Sequence, residues 1–558
     1  MSKTTRTLLW AFAATLFASQ APAASNEIIR GTVTDNAGKP IRGAIVKAVA
    51  MGKTASRFSQ DDGRFEIAVP AGSYQVSATA FGFAPSTQAK DAATAGDSNF
   101  RLSPGVDVMR LSGADLETLM PGARDAKLIR TECVDCHNLS NVMKRRGSTA
   151  AEWMDFLRVM TGNRPDDNPQ WPPQVFAAIG NALEKYAGPN GSVFGPDADV
   201  PTANQIHHTT TSEEALKATF HEYQIPGSVM AHSIDISADG LTAWFSGGGK
   251  INRFNVREET FQKYDIPAPG AGPHTPVVAP NGIVYMGLAG VSPVKLAAVD
   301  PETGAVKAYA WPEQKYPAHS PSIARDGNLW LSSFAPGEVW KFDLKKEQFR
   351  AYHFPVPEAY VQGSYGALEA SFGPPSSRNR FTGLPATPTD DWPYHIAEDS
   401  KGTLWFGALF LGTITSLNPE TGEAKIYQVE GAPSTRGIAV DAQDNIWFNN
   451  FHGHRLGRID AKTKEITQYE LPTKNATGYG VVYEPRTGYL WIADMNGNNI
   501  TRFDPKTRRF VEYPIPTHQA IPRFISVAKD GRVWFTEFFG NKIGVLDPHP
   551  ASTQTASR

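Results

Sequence analysis

A multidomain, mainly β protein is what this 558-residue sequence predicts: a small β-sandwich, then an α-helical module, then a seven-bladed β-propeller. Three observations carry that expectation. Short runs of alternating apolar and polar residues fill 27–104, a stretch with helical periodicity surrounds the only two cysteines, and seven tyrosines recur at blade-like intervals through the C-terminal part. The composition agrees, since 49 Gly and 42 Pro alongside 12 Trp and 30 Phe suit many short strands joined by turns. Basic side chains number 54 and acidic ones 56, so no charge imbalance advertises a nucleic-acid partner.

The first 24 residues set the expected compartment. Lys3 and Arg6 precede the apolar run from Leu8 to Phe17, and Ala21-Pro22-Ala23-Ala24 offers a small-residue cleavage sequence. That is the pattern of a secretory signal peptide, with an apolar stretch too short to span a bilayer. No later segment reaches membrane length, so a soluble, exported protein of the periplasm is expected.

Residues 27–104 alternate as strands do, for instance in Ile28-Ile29-Arg30-Gly31-Thr32-Val33 and Phe65-Glu66-Ile67-Ala68-Val69, with turns at Asn36-Ala37-Gly38 and Asp61-Asp62-Gly63. This predicts the sandwich. The order Gly31-Thr32-Val33-Thr34-Asp35, Gly43-Ala44-Ile45-Val46, Asp62-Gly63-Arg64-Phe65 and Gly72-Ser73-Tyr74 resembles the carboxypeptidase regulatory-like family. The resemblance implies a fold and a spacer or adhesion role, with no catalysis.

From 118 to 188 the pattern turns helical. Cys133-Val134-Asp135-Cys136-His137 places two thiols three apart with an imidazole directly after them. Each thiol can form a thioether to a haem vinyl group, and the imidazole of His137 then serves as an axial iron ligand. A zinc site would need further ligands that no third cysteine supplies, and a disulfide closing so short a loop stabilises little. Covalent haem c is therefore the expected cofactor. A helix is predicted over Ala123 to Cys133, a second behind the capping box Thr149-Ala150-Ala151-Glu152, where Trp153, Phe156, Leu157 and Met160 form one stripe, and a third from Pro172-Pro173 to Gly188 that buries Phe176, Ile179 and Leu183. Three helices around this motif resemble a compact class I cytochrome c. The sixth iron ligand must approach from the opposite side of the macrocycle, and Met160 fits best, with ordinary core packing as its other reading.

Residues 189–216 lack periodicity and read as a linker. Then Tyr223, Tyr264, Tyr309, Tyr352, Tyr427, Tyr469 and Tyr513 recur at intervals of 41, 45, 43, 75, 42 and 44 residues, which predicts seven four-stranded blades over 217–548 and an insertion at Val356 to Trp392. A tail, 549–558, follows. Tryptophans in Asp326-Gly327-Asn328-Leu329-Trp330-Leu331 and its counterparts are expected to pack between blades. The last blade ends one strand short, and 217–226 can supply the missing strand and close the ring.

Segments such as Asp530-Gly531-Arg532-Val533-Trp534-Phe535-Thr536-Glu537 and Asn541-Lys542-Ile543-Gly544 resemble the streptogramin (virginiamycin B) lyase family. The resemblance implies a propeller and, in the lyases, a histidine opening an innermost strand that works with a glutamate fourteen residues on, beside a magnesium ion. Glu537 occupies the glutamate position here, but Arg523 stands fourteen residues earlier, and a guanidinium cannot serve as a neutral base. Blades that do carry the histidine offer Ser246, Leu288, Ser333 and Leu409 at the second position.

His232, His274, His319 and His395 occupy that opening position in four consecutive blades, and Arg436, Tyr479 and Arg523 occupy it in the other three. All seven are expected to converge on one funnel, joined at its mouth by Asn450, Asp494 and Glu537. Such imidazoles suit either a second metal ion (iron, copper, zinc or magnesium) or an unmetallated polar pocket, and the arginines favour an anionic or carbonyl-bearing ligand. The expectation is a periplasmic haem c oxidoreductase or electron-transfer protein. Its propeller would bind a small organic molecule, and an external redox partner, such as another periplasmic cytochrome or a dehydrogenase, would exchange electrons with the haem. The alternatives are a carbon–oxygen lyase and a non-catalytic carrier that docks a partner.

Overall fold

The computed structural model describes residues 26–550 apart from 124, 127, 130–133, 135–137, 161–172, 207, 228, 290–292, 334–336, 356–392, 409–411 and 432–433, and no side chain is described at 26, 159, 160 or 173–176. The signal-like segment, Cys133, Cys136, His137, the insertion at 356–392, Leu409 and residues 551–558 thus lie outside the described residues, as does the side chain of Met160.

The N-terminal strands are β1 (Asn26–Asp35), β2 (Ile45–Ala50), β3 (Lys53–Phe58), β4 (Arg64–Pro70), β5 (Ser73–Thr79), β6 (Ser86–Asp91) and β7 (Phe100–Leu102). One sheet runs β4-β1-β7 and a second includes β3-β2-β5-β6. Alternation puts Phe65, Ile67 and Val69 of β4 inward against Ile29, Val46, Val76 and Phe100, which gives the sandwich its core. The turn before β4 requires glycine: Gly63 has φ +78°, and a Cβ there would lie 2.5 Å from the Val33 carbonyl oxygen.

Four helices are described in the middle of the chain, α1 (Gly113–Leu119), α2 (Ser140–Met143), α3 (Ala150–Met160) and α4 (Pro173–Ala187). The expected capping box starts α3: the Thr149 hydroxyl accepts from Glu152 N at 3.3 Å, and Thr149 N donates to the Glu152 carboxylate at 2.8 Å. Trp153 and Leu157 of α3 meet Ile179 and Leu183 of α4, while Asp125 accepts from the Tyr186 hydroxyl at 2.6 Å and ties the preceding segment to α4. Helix α1 is unforeseen. It is capped by Ser112, whose hydroxyl accepts from Asp115 N at 3.0 Å. No helix among the described residues is long and apolar enough to cross a membrane.

The remainder forms a ring of blades, 234–264, 273–310, 318–353, 393–428, 435–470, 478–514 and 522–547, each built of successive antiparallel strands. Strand β8 (Thr219–Gln224) supplies the fourth strand of the last blade, pairing with Lys542–Asp547, which is the closure expected of 217–226. Tryptophans on the second strands are buried between blades, and acids at the end of the innermost strands hold several indoles, as Asp441 does with Trp447 at 2.8 Å and Asp399 with Trp405 at 2.9 Å. The other edge of β8 pairs with β3, from Lys53↔Tyr223 to Arg57↔Thr219. The last blade and one sheet of the sandwich are thereby a single eight-stranded sheet.

Candidate functional site

Six of the seven predicted funnel residues sit in an interruption of the strand ladder. In blade 2 Pro273 pairs with Leu288 but the next pair is Pro276↔Met286, so the innermost strand carries one residue more than its neighbour. The same shift brackets His319, Arg436, Tyr479 and Arg523 in the first place of the bulge, and His395 in the second place of its own, behind Tyr394. A bulge re-aims the side chain it contains, and here it turns one residue per blade toward the ring axis.

Three imidazoles pack in file. The ring centroids of His232 and His274 are 4.0 Å apart, and those of His274 and His319 are 3.9 Å apart, while His395 lies 6.0 Å beyond His319. Each of the first three is followed by a hydroxyl residue that meets its Nδ1: Ser233 at 2.9 Å, Thr275 at 2.9 Å and Ser320 at 2.8 Å. Burial holds all four imidazoles far below the ordinary histidine range, His395 at about 3, and Arg523 and Arg436 add to the effect on His232. They are neutral at physiological pH.

Both guanidiniums are buried against aromatic faces. Arg436 Cζ is 3.8 Å from the centre of Phe451 and 4.9 Å from that of Tyr479, and Arg523 Cζ is 3.8 Å from Phe538 and 5.3 Å from Tyr479. Tyr479 is hydrogen-bonded through its hydroxyl to that of Tyr394, which the sequence reading did not single out. Burial and Tyr479 keep the Tyr394 phenol protonated. Tyr394, Phe451, Tyr479, Met495, Ile521 and Phe524 form one apolar cluster beside the imidazoles, with Phe524 4.6 Å from His395. By register Tyr394, not His395, takes the place of His274 and His319 in its blade, because Pro393↔Ala408 corresponds to Pro273↔Leu288 and Ala318↔Ser333; His395 falls one residue later, where the other blades carry Thr275 and Ser320.

Three expected members of the site face elsewhere. Asp494 accepts from Thr477 N and Gly497 N, both at 2.9 Å, and Asn450 accepts from Gly453 N at 2.9 Å, so each caps the hairpin that follows it. Glu537 turns toward its own hairpin at Gly540 and toward Glu222 of β8 and Thr517, and burial next to Glu222 raises it well above the carboxylate range. A proton on Glu537 lets it donate to Glu222, which Lys542 keeps ionised. The reason is strand pleat: Thr536, one residue earlier, reaches the His232 carbonyl oxygen at 2.9 Å, which sends Glu537 to the opposite face of the blade. The imidazole planes are tilted by 50° between His232 and His274 and by 42° between His274 and His319. Among the described residues no group of three His, Cys, Asp or Glu side chains has metal-holding geometry.

The helical module rests on this same mouth. Asn138, the residue after the cysteine motif, is fully buried and points its amide at the Met495 carbonyl oxygen at 3.5 Å, while Lys144 lies over the Phe539 ring at 5.1 Å. Val134, inside the motif, belongs to the helical core. Trp153 Nε1 is buried in that core with no hydrogen-bond partner among the described residues, a donor of the kind that an acceptor on a bound group would satisfy.

Residues 380–555 match the virginiamycin B lyase family, and residues 28–105 match the carboxypeptidase regulatory-like domain. A virginiamycin B lyase of Nocardia farcinica (strain IFM 10152) is 31% identical over 78 residues, 14% of this chain, and the match spans 27% of that relative's length. Among solved structures, a streptogramin B lyase is 21% identical with a TM-score of 0.50, over 60% of this chain and 99% of that one. A catalytically inactive virginiamycin B lyase from Staphylococcus aureus with quinupristin is 20% identical with a TM-score of 0.48, over 59% and 99% of the two chains. At such identity the likeness speaks for fold alone. The protein is a mainly β, multidomain chain that joins a virginiamycin B lyase-like propeller to a carboxypeptidase regulatory-like domain.

Proposed function

We propose that the protein is an exported haem c oxidoreductase or electron-transfer protein whose propeller mouth binds a small organic anion or carbonyl compound. Cys133 and Cys136 would tether the haem, and His137 and Met160 would hold its iron. The group, when bound, supplies one-electron transfer. The buried guanidiniums of Arg436 and Arg523 would orient a carboxylate or carbonyl oxygen, the neutral imidazoles accept protons, and the apolar cluster around Phe524 excludes water. The observation that carries this reading is the burial of Asn138 against Met495, because it seats the module that bears the motif directly behind the residues lining the mouth. Such tethering gives a one-electron carrier a high effective concentration beside a bound ligand, which a redox-neutral reaction has no use for.

The test is direct. Acid extraction of denatured full-length protein should leave the chromophore on the polypeptide, and anaerobic mixing of the ferric protein with hydroxy acids, aldehydes and phenols should reduce it with at least one class. Complete release of the chromophore, or none to begin with, sinks the reading. The family match over 380–555 favours a second one, a redox-neutral carbon–oxygen lyase. Arg523 in place of an imidazole and the partnership of Glu537 with Glu222 weigh against it, and linear product from a cyclic depsipeptide would support it.

A further inference from the structure

Beside the three imidazoles the hydroxyls of consecutive blades are themselves linked. Ser233 Oγ lies 3.3 Å from Thr275 Oγ1, and Thr275 Oγ1 lies 3.0 Å from Ser320 Oγ, so that a belt of three hydroxyls joins Nδ1 of His232, His274 and His319. One end of the belt has a fixed polarity. His319 Nδ1 lies 3.0 Å from the carbonyl oxygen of Tyr394, which can only accept, so His319 carries its proton on Nδ1 and leaves a lone pair on Nε2. The protonated Nδ1 has no lone pair to offer Ser320 Oγ, 2.8 Å away, so Ser320 shares that N–H with the Tyr394 carbonyl as a second acceptor and donates its own proton to Thr275.

Thr275 has one proton and two remaining neighbours, His274 Nδ1 and Ser233 Oγ. If it donates to His274, that ring is protonated at Nε2; Ser233 must then donate to Thr275, and His232 donates from Nδ1 and keeps a lone pair at Nε2. If it donates to Ser233, the assignments reverse: Ser233 donates to His232, which is protonated at Nε2, and His274 donates from Nδ1. Both arrangements make every bond of the belt and leave Thr275 with two accepted and one donated.

We infer that Ser233, Thr275 and Ser320 couple the tautomers of His232 and His274, so that one of these imidazoles presents an N–H donor and the other a lone pair, making the pair a bifunctional acid–base site for a hydroxy-carbonyl or enolisable carbonyl ligand. The step conserves charge. The lone-pair Nε2 takes a proton from the ligand as its C–H or O–H bond breaks, and the protonated Nε2 of the neighbouring ring gives its proton to the carbonyl oxygen as a new O–H bond forms. Three protons shift along His232 Nδ1, Ser233, Thr275 and His274 Nδ1, which restores two neutral rings in exchanged tautomers. No redox partner enters, so this inference stands apart from the haem and survives its failure. The depression of these imidazoles by burial supports it, since a protonated ring at either position would block the exchange. His232 and His274 are the catalytic pair, and Thr275 is a positioning residue.

Full-length protein labelled with ¹⁵N-histidine, assigned by H232Q, H274Q and H319Q, reports each tautomer in long-range ¹H–¹⁵N correlation spectra without any ligand. His319 should appear only as the Nδ1–H form, and the Nε2–H fractions of His232 and His274 should sum to one. Thr275→Ser should keep that complement and Thr275→Val abolish it. An Nε2–H form of His319, the same predominant tautomer at His232 and His274, or a complement that persists in Thr275→Val overturns the inference. Should Thr275→Val fail to fold, the unmodified protein and Thr275→Ser still decide.

Discussion

The buried carboxylate of Glu117 accepts a 2.6 Å hydrogen bond from Asn496 Nδ2, joining helix α1 to the hairpin of the sixth blade. Ala114 N donates to the Asn496 carbonyl oxygen at 2.9 Å, and Gln519 Nε2 reaches the Met109 carbonyl oxygen at 2.8 Å, so the helical module is fastened to the ring by several polar contacts. Glu117→Ala leaves the Asn496 amide without this acceptor and should cost about 1–3 kcal/mol. Limited proteolysis between 104 and 216 should accelerate in the variant, and Glu117→Gln, which retains an acceptor oxygen, should fall between it and the parent.

Cys133→Ala and Cys136→Ala each remove one of the two proposed thioether links. Each variant should retain less chromophore through denaturing electrophoresis than the parent, and the double variant none. Met160→Leu tests the sixth ligand separately: the covalent haem should stay while the reduction potential, followed by spectroscopic titration, falls.

Arg436→Met removes a buried guanidinium from the mouth while preserving bulk. For any anionic ligand that reduces the haem, loss of a charge-assisted contact of about 2 kcal/mol should raise the apparent dissociation constant roughly thirtyfold. His274→Ala should leave the haem spectrum intact and lower the rate of reduction by ligand. An unchanged rate in both variants would remove the mouth as the binding site.

Burial and the neighbouring Asp494 push Glu512 up to about 7, and Asp494 itself up to about 6. Between the ordinary carboxylate range and these values the folded chain keeps protons that the unfolded chain has lost. Their contribution to stability is therefore complete in acid and is lost as pH rises, at up to about 1.4 kcal/mol per pH unit for each group. Melting temperatures measured between about pH 5 and 7.5 should fall less steeply in Glu512→Gln than in the parent.

The repeating parts of this protein were legible because a blade repeats its chemistry. The outer-strand tyrosines, the second-strand tryptophans and the residue that opens each innermost strand all recur at a fixed period, which located His232, His274, His319, Arg436, Tyr479 and Arg523; behind the long insertion the expectation fell on His395, one residue past Tyr394, which holds the position. Neighbours without a period stayed hidden. Phe524 reaches the mouth because the bulge carries it beside Arg523, and α1 docks through Asn496, a contact made 379 residues away in sequence. Glu537 was misread because its place at the end of a strand is fixed by spacing while its direction is fixed by pleat, and one step along the strand reverses the face.

Strand β8 has neighbours on both sides, Lys542–Asp547 of the last blade and β3 of the sandwich. A circular architecture is weakest at its seam, where the clasping strand ordinarily has one flank bare and can fray outward. Here the seam is stitched over, and undoing it means first peeling away β3. A tug on the amino-terminal end would meet resistance from the whole circle, so the two bodies should give way together in one transition.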